Sequence, residues 1–189
     1  MRTATSISFL SGVVLFIALS QISISASAQN IDFGKSYINF TKGNLGGTVE
    51  PGDILEIRSS IVVRSGTYDS CGYFDVIPAG TTYIPGTLRV LTNEGKIFRQ
   101  FTDAVGDDAG WVNGINIRIN LGYGSAGFVA SAVKRGRIVN THKPSFFGST
   151  CIMIASFRVQ VTTGYGAILS LGGGSMSYKP SAGVLTSFN

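Results

Sequence analysis

Between Ile115 and Leu121 every second residue is apolar: Ile115, Ile117, Ile119 and Leu121 alternate with Asn116, Arg118 and Asn120. A period of two sorts side chains onto the two faces of an extended strand, which a helix cannot do. The same rhythm runs from Leu55 to Val63, where Leu55, Ile57, Ile61 and Val63 oppose Glu56, Arg58 and Ser60. It returns from Cys151 to Val161, with Met153, Ala155, Phe157, Val159 and Val161 in phase. Strands that each bury one face need a second layer to cover it. The expected fold is therefore all-β, an antiparallel two-sheet β-sandwich.

Shorter segments fit between these runs. Tyr37–Phe40, Gly72–Ile77, Ala167–Leu171 and Ser175–Tyr178 read as strands, and Thr87–Leu91 with Ile97–Phe101 flank an Asn93-Glu94-Gly95 hairpin turn. Pro51-Gly52-Asp53 and Pro78-Ala79-Gly80 punctuate the chain, with Gly52 suited to the positive φ of a type II turn. The best helix candidate is Val129–Val133, which lacks a convincing cap. With 25 glycines and only 13% charged residues, the composition suits tight turns around an apolar core and excludes disorder.

The first 28 residues have a separate purpose. Arg2 precedes an apolar stretch from Ile7 to Leu19, and a polar segment ends in Ala26-Ser27-Ala28. This three-part pattern is a secretory signal, with cleavage expected after Ala28 and Gln29 as the new N-terminus. The apolar stretch is shorter than the roughly 20 residues of a spanning helix, so no membrane span is expected in the mature chain. The expected domain runs over 29–180, with 181–189 as a tail or truncated linker. Outside the cytoplasm a cysteine pair tends to close, so Cys71 and Cys151 are expected to form a disulfide. Its loop of about 80 residues would contribute about 4–5 kcal/mol before strain is subtracted.

The formal net charge is +5, and Lys134, Arg135, Arg137, His142 and Lys143 cluster in one stretch. Such a stretch attracts anions but is usually a solvated loop, and the lack of interleaved aromatic residues argues against single-strand nucleic acid, so no nucleic-acid partner is expected. Asp103, Asp107 and Asp108 are the one acid cluster, and calcium is the small ligand they suit best. Two thiols and one histidine make no transition-metal site.

The enzyme signatures fail on their partners. Gly122 to Gly127 spells G-x-G-x-x-G, but no Asp or Glu follows Asp108 to serve a dinucleotide ribose. Ser131-Ala132-Val133-Lys134 lacks the S-D-N and K-T-G elements of penicillin-recognising enzymes. His142, the single histidine, has no acid nearby in sequence. A Lys-Asn isopeptide bond, as in some surface sandwiches, would draw on Lys35 or Lys42 with Asn120 and Glu56. The outward phase of Asn120 and Glu56 argues against it, because that bond needs a dry core.

Val49 with Pro51-Gly52-Asp53-Ile54-Leu55-Glu56-Ile57-Arg58 resembles the V-x-P-G-D-x-L-x-Y opening of a repeat family of prokaryotic surface proteins. The segment from Ile77-Pro78-Ala79-Gly80-Thr81 to Leu88 resembles its D-x-I-P-A-G-T-x-Y-V-x-G-S element, with Asp75 at the acid position. This is the conserved-repeat domain, domain of unknown function eleven. Thr102 to Trp111 resembles a variant in large surface proteins of Bacteroidetes-type bacteria. The chain departs from the family at Arg64-Ser65-Gly66-Thr67, where members carry Asn-x-Gly. The resemblance implies an immunoglobulin-like sandwich with a cell-surface role and no catalytic residues.

The function expected is therefore an exported, non-enzymatic structural or adhesive module, with no cofactor. Its partners would be other surface-protein domains or an extracellular glycan or protein. The alternative is a secreted carbohydrate-binding module that stacks sugars on Tyr123, Tyr165 or Trp111.

Overall fold

A computed structural model describes residues 30–189 apart from 46, 93–96, 123–124, 126–127, 130–131, 134, 140–150, 181–185 and 189. The alternating runs form its centre. β3 (Ile54–Val63) lies between β1 (Ile31–Asn39) and β13 (Cys151–Val161). The β3–β13 ladder is antiparallel and runs from Cys151↔Val63 to Gln160↔Ile54 without a break. β2 (Asn44–Leu45) pairs with the end of β1. β5 (Thr81–Tyr83) and β6 (Arg89–Thr92) share the far edge of β13, and β7 (Ile97–Gln100) closes the hairpin with β6.

The second sheet is built on β4 (Thr67–Val76). One edge of β4 takes β9 (Asn116–Asn120) and β12 (Gly136–Val139); the other takes β14 (Ser175–Pro180). β8 (Gly110–Asn113) extends β9, and β15 (Thr186–Phe188) extends β14. β10 (Phe128–Val129) and β11 (Ala132–Val133) form a small ladder of their own. The order β1-β3-β13-β6 faces β15-β14-β4. Lettered along the chain, these strands give A-B-E-D and G-F-C, the two sheets of the immunoglobulin arrangement. The antiparallel sandwich expected from periodicity is therefore the fold adopted, in the immunoglobulin-like form that the resemblance implied.

Leu55, Ile57, Ile61 and Val63 are fully buried, as are Phe157 and Val159 across the ladder. Tyr73, Ile117, Ile119, Leu121 and Met176 of the second sheet belong to the same apolar cluster. Gly52 takes a φ of 89°, as its turn requires.

Several expectations are corrected. Val129–Val133 is not a helix, because Phe128–Val129 pairs with Ala132–Val133 as a hairpin that suits its β-branched residues. Ala167–Leu171 joins no ladder. Ile115 sits in the β8–β9 turn and is 62% exposed rather than inward. Thr186–Phe188, read as tail, pairs with β14. Among the described residues no helix is long and apolar enough to cross a membrane.

The first glycine of the G-x-G-x-x-G stretch has a packing reason. A Cβ on Gly122 would lie 2.6 Å from Arg137 O, and one on Gly136 would lie 2.5 Å from Gly122 O. Both obstacles are backbone and cannot swing aside. Gly136→Ala is expected to cost about 1–3 kcal/mol through overpacking. Gly34→Ala, with nothing within 4 Å, serves as the neutral control. Equal thermal midpoints for the two variants would refute this close-packing account.

Candidate functional site

The most unusual chemistry lies between the sheets. Lys35 on β1 reaches across to Asp75 on β4, with Nζ 2.7 Å from Oδ1. The lysine side chain is 12% exposed and the carboxylate is fully buried. Lys35 Nζ also donates to the carbonyl oxygens of Leu171 and of Gly172, the latter at 2.7 Å. Its three ammonium protons are thus matched by three acceptors. The hydroxyl of Tyr73 donates to Asp75 Oδ2, and the backbone N–H of Val76 donates to Oδ1 at 2.7 Å. With its own proton on Asp75, Tyr73 receives the hydroxyl of Ser59 of β3 at 2.9 Å. Burial, then the negative charge of Asp75, pushes the Tyr73 phenol well above its ordinary range. Tyr73 therefore stays a donor at any physiological pH. The chain Ser59–Tyr73–Asp75–Lys35 crosses from sheet to sheet and back.

A second ionic cluster lies on the outer face of the first sheet. Glu56 is 2% exposed although its phase points outward. The expectation of a wet face fails here because three arginines cover the carboxylate. Arg58 Nε reaches Oε1 at 2.8 Å and Arg158 Nε reaches Oε2 at 3.1 Å, while Arg89 pairs with Oε2. Arg158 is itself stacked on Phe40, its Cζ 3.8 Å from the ring centroid. Burial would raise the Glu56 pKa, but hydrogen bonds from Arg58 and Arg158 and the charge of Arg89 outweigh it. The carboxyl is held below its ordinary value.

Both motif acids of the surface-repeat resemblance are structural. Asp75 anchors Lys35. Asp53 is 5% exposed and ties its turn to β1, accepting from Glu50 N at 2.9 Å and from Asn39 Nδ2 at 2.7 Å.

The acids suggested for calcium do not converge. Asp103 accepts from the Tyr83 hydroxyl at 2.8 Å and from Gly86 N at 2.6 Å. Asp107 accepts from Thr102 Oγ1 at 2.6 Å. Asp108 accepts from Thr102 N at 2.9 Å and Gly110 N at 2.8 Å. Asp107 and Asp108 shape the 102–110 loop from within, and Asp103 ties that loop to Tyr83 and Gly86. Among the described residues no three metal-ligating side chains gather at one point. The same loop covers the outer edge of β8, where Val112 N donates to Asp103 O at 3.0 Å.

The expected disulfide is not formed in this structure. Cys71 is a free, buried thiol whose Sγ donates to Tyr68 O at 3.2 Å. Burial pushes its pKa up to about 12, which leaves it unreactive. The side chain of Cys151 lies outside the described residues, as do Tyr123 and His142. Trp111 is 5% exposed and Tyr165 is 83% exposed, so these two form no shared sugar-stacking platform. Asn120 is 4% exposed and lines a cleft with Arg118, and Glu56 is 2% exposed under three arginines, so both are drier than their outward phase suggests. Lys35 Nζ is held by Asp75, Leu171 and Gly172 instead, so the isopeptide constellation is not assembled around it.

Sequence reading missed the Lys35–Asp75 clamp. The available signal was Asp75 itself, an acid in phase with Cys71 and Tyr73 on a strand with a buried face.

No family model and no curated protein matches the chain. Among solved structures it is similar to the collagen-binding domain of the Erysipelothrix rhusiopathiae surface protein RspB, at 10% identity and TM-score 0.44 over 83% of this chain and 42% of that one. It is also similar to BcpA, the major pilin subunit of Bacillus cereus, at 10% identity and TM-score 0.46 over 84% and 37%. A third is ACE19, the collagen-binding subdomain of Enterococcus faecalis ACE, at 12% identity and TM-score 0.41 over 82% and 90%. The chain spans about two fifths of the first two.

Proposed function

We propose that this chain is an exported structural and adhesive module of the cell surface, without catalytic activity, released from its signal peptide after Ala28. The observation that carries the reading is the Ser59–Tyr73–Asp75–Lys35 chain. A buried ion pair with every partner satisfied adds little to equilibrium stability over an apolar core. It does fasten two sheets at a defined register, and breaking it leaves a charge without water. That suits a domain that must hold its shape as a linker or platform. The polar groups a catalyst would need are occupied here: Tyr73 is tied to Asp75, Asp103 and Asp108 to loop amides, and Cys71 is buried. Binding would fall to loops and outer sheet faces, where sandwich domains carry their partners.

The test is to produce the full chain in a bacterial host, separate the cell fractions and measure intact mass. The expected species starts at Gln29 and lies outside the cytoplasm. A chain that keeps Met1 to Ala28 and stays in the cytoplasm would overturn the export half of the reading.

A further inference from the structure

The outer face of the second sheet carries a cleft of about 270 Å³ that none of the above uses. Two guanidinium groups line it, from Arg118 on β9 and from Arg135 just before β12. Among the described residues, neither has a carboxylate within ion-pair distance, whereas Arg58, Arg89, Arg137 and Arg158 each have one. The cleft therefore holds two positive charges with no carboxylate among the described residues paired to them.

The guanidinium positions are set by packing. Arg118 lies over the ring of Phe74, its Cζ 5.0 Å from the centroid. Stacking occupies the flat face and leaves the N–H edge for a ligand. Arg135 donates from Nη1 to Ser177 Oγ at 3.0 Å. It passes close to β4 where residue 72 is glycine: a Cβ there would come within 3.1 Å of Arg135 Nε. A glycine in a strand interior often marks such a close approach. Trp111 forms an apolar wall of the same cleft.

We propose that this cleft binds the carboxylate side chain of an acidic peptide segment, with Arg118 and Arg135 as its two anchors and the exposed Val105 of the cleft rim packing the adjoining residue. A guanidinium offers paired N–H donors at the spacing of carboxylate oxygens. The volume lies just below the usual range for small-molecule sites, about 300–1,000 Å³, and suits one or two side chains rather than a sugar chain. The apolar wall favours an anion attached to a hydrophobic neighbour over a free, fully hydrated ion. The inference deepens the adhesive half of the proposed function but does not depend on export, since the cleft has the same chemistry in any compartment.

Trp111 is the chain's single tryptophan, so its fluorescence reports on the cleft directly. The protein is titrated with N-acetyl-Phe-Asp-amide, with N-acetyl-Phe-Asn-amide, and with sodium sulfate at matched ionic strength. The expected result is a saturable change with the acidic dipeptide and at least tenfold weaker binding of the amide analogue. Arg118→Gln and Arg135→Gln should each weaken the acidic dipeptide tenfold or more. Arg137→Gln, whose arginine pairs with Asp69, should leave it unchanged. Circular dichroism confirms that each variant is folded. No saturable change with the acidic dipeptide, or an affinity in both cleft variants unchanged from the parent protein, overturns the proposal. Sulfate binding as tight as the dipeptide overturns the peptide assignment and makes the site a general oxyanion site. A positive titration with a cytoplasmic chain would keep this inference and sink only the export reading.

Discussion

Replacing Lys35 by methionine is expected to destabilise the domain by about 3–5 kcal/mol, the usual cost of stranding one member of a buried ion pair. Asp75 is fully buried, and after the change only the Tyr73 hydroxyl and the Val76 amide would face its charge. The carbonyls of Leu171 and Gly172 would lose their donor as well. For a domain of this size the midpoint of thermal unfolding should fall by roughly 6–20 °C, at about 2–4 °C per kcal/mol. Asp75→Asn keeps the shape and the acceptor for Tyr73 while removing the charge. The double variant Lys35→Met/Asp75→Asn should therefore recover part of the loss. A double-mutant cycle by urea unfolding measures that coupling directly. If Lys35→Met lies within 1 kcal/mol of the parent, or if the two changes simply add, the clamp is not what holds the sheets in register.

The contrast between the clamp and the strands explains what was legible in the sequence. Period-two runs needed only nearest neighbours, so Leu55–Val63 and Cys151–Val161 were placed within a residue of β3 and β13. Ser59 lies on the inward phase of its run and is indeed buried, but its partner Tyr73 belongs to the other sheet. Lys35 and Asp75 are 40 positions apart, and no local pattern says that two sheets will bring them together. Residues 31–36 read Ile-Asp-Phe-Gly-Lys-Ser without strong alternation, so most of β1 was invisible until β3 supplied a ladder. Ile115 kept the right period but fell in a turn, where phase no longer decides burial. The covered Glu56 shows the same limit from the opposite side. Its phase was right, but Arg58, Arg89 and Arg158 come from three strands, and only the ladder order of β3, β13 and β6 makes them neighbours.

That cluster gives the second large effect. Glu56→Gln is expected to cost about 3 kcal/mol at pH 7, near the low end for a broken buried pair. The low end applies because Arg58, Arg89 and Arg158 keep 41%, 24% and 26% of their side chains exposed, so water screens part of their mutual repulsion. The pH dependence separates this from a simple packing loss. The Glu56 carboxyl is held below its ordinary value in the folded state. A depressed folded pKa contributes stability that is complete above the unfolded value, about 4.3, and is lost as pH falls through the folded one. Urea unfolding of parent and variant should therefore differ most near neutral pH, and the gap should close progressively below about pH 4 as the parent's carboxyl takes up its proton. A gap of the same size at pH 7 and at pH 3 would assign the cost to lost hydrogen-bond shape rather than charge. In that case the three arginines would be carrying the outer face of β3 without the carboxylate's help, and Glu56 would have no electrostatic part in the fold.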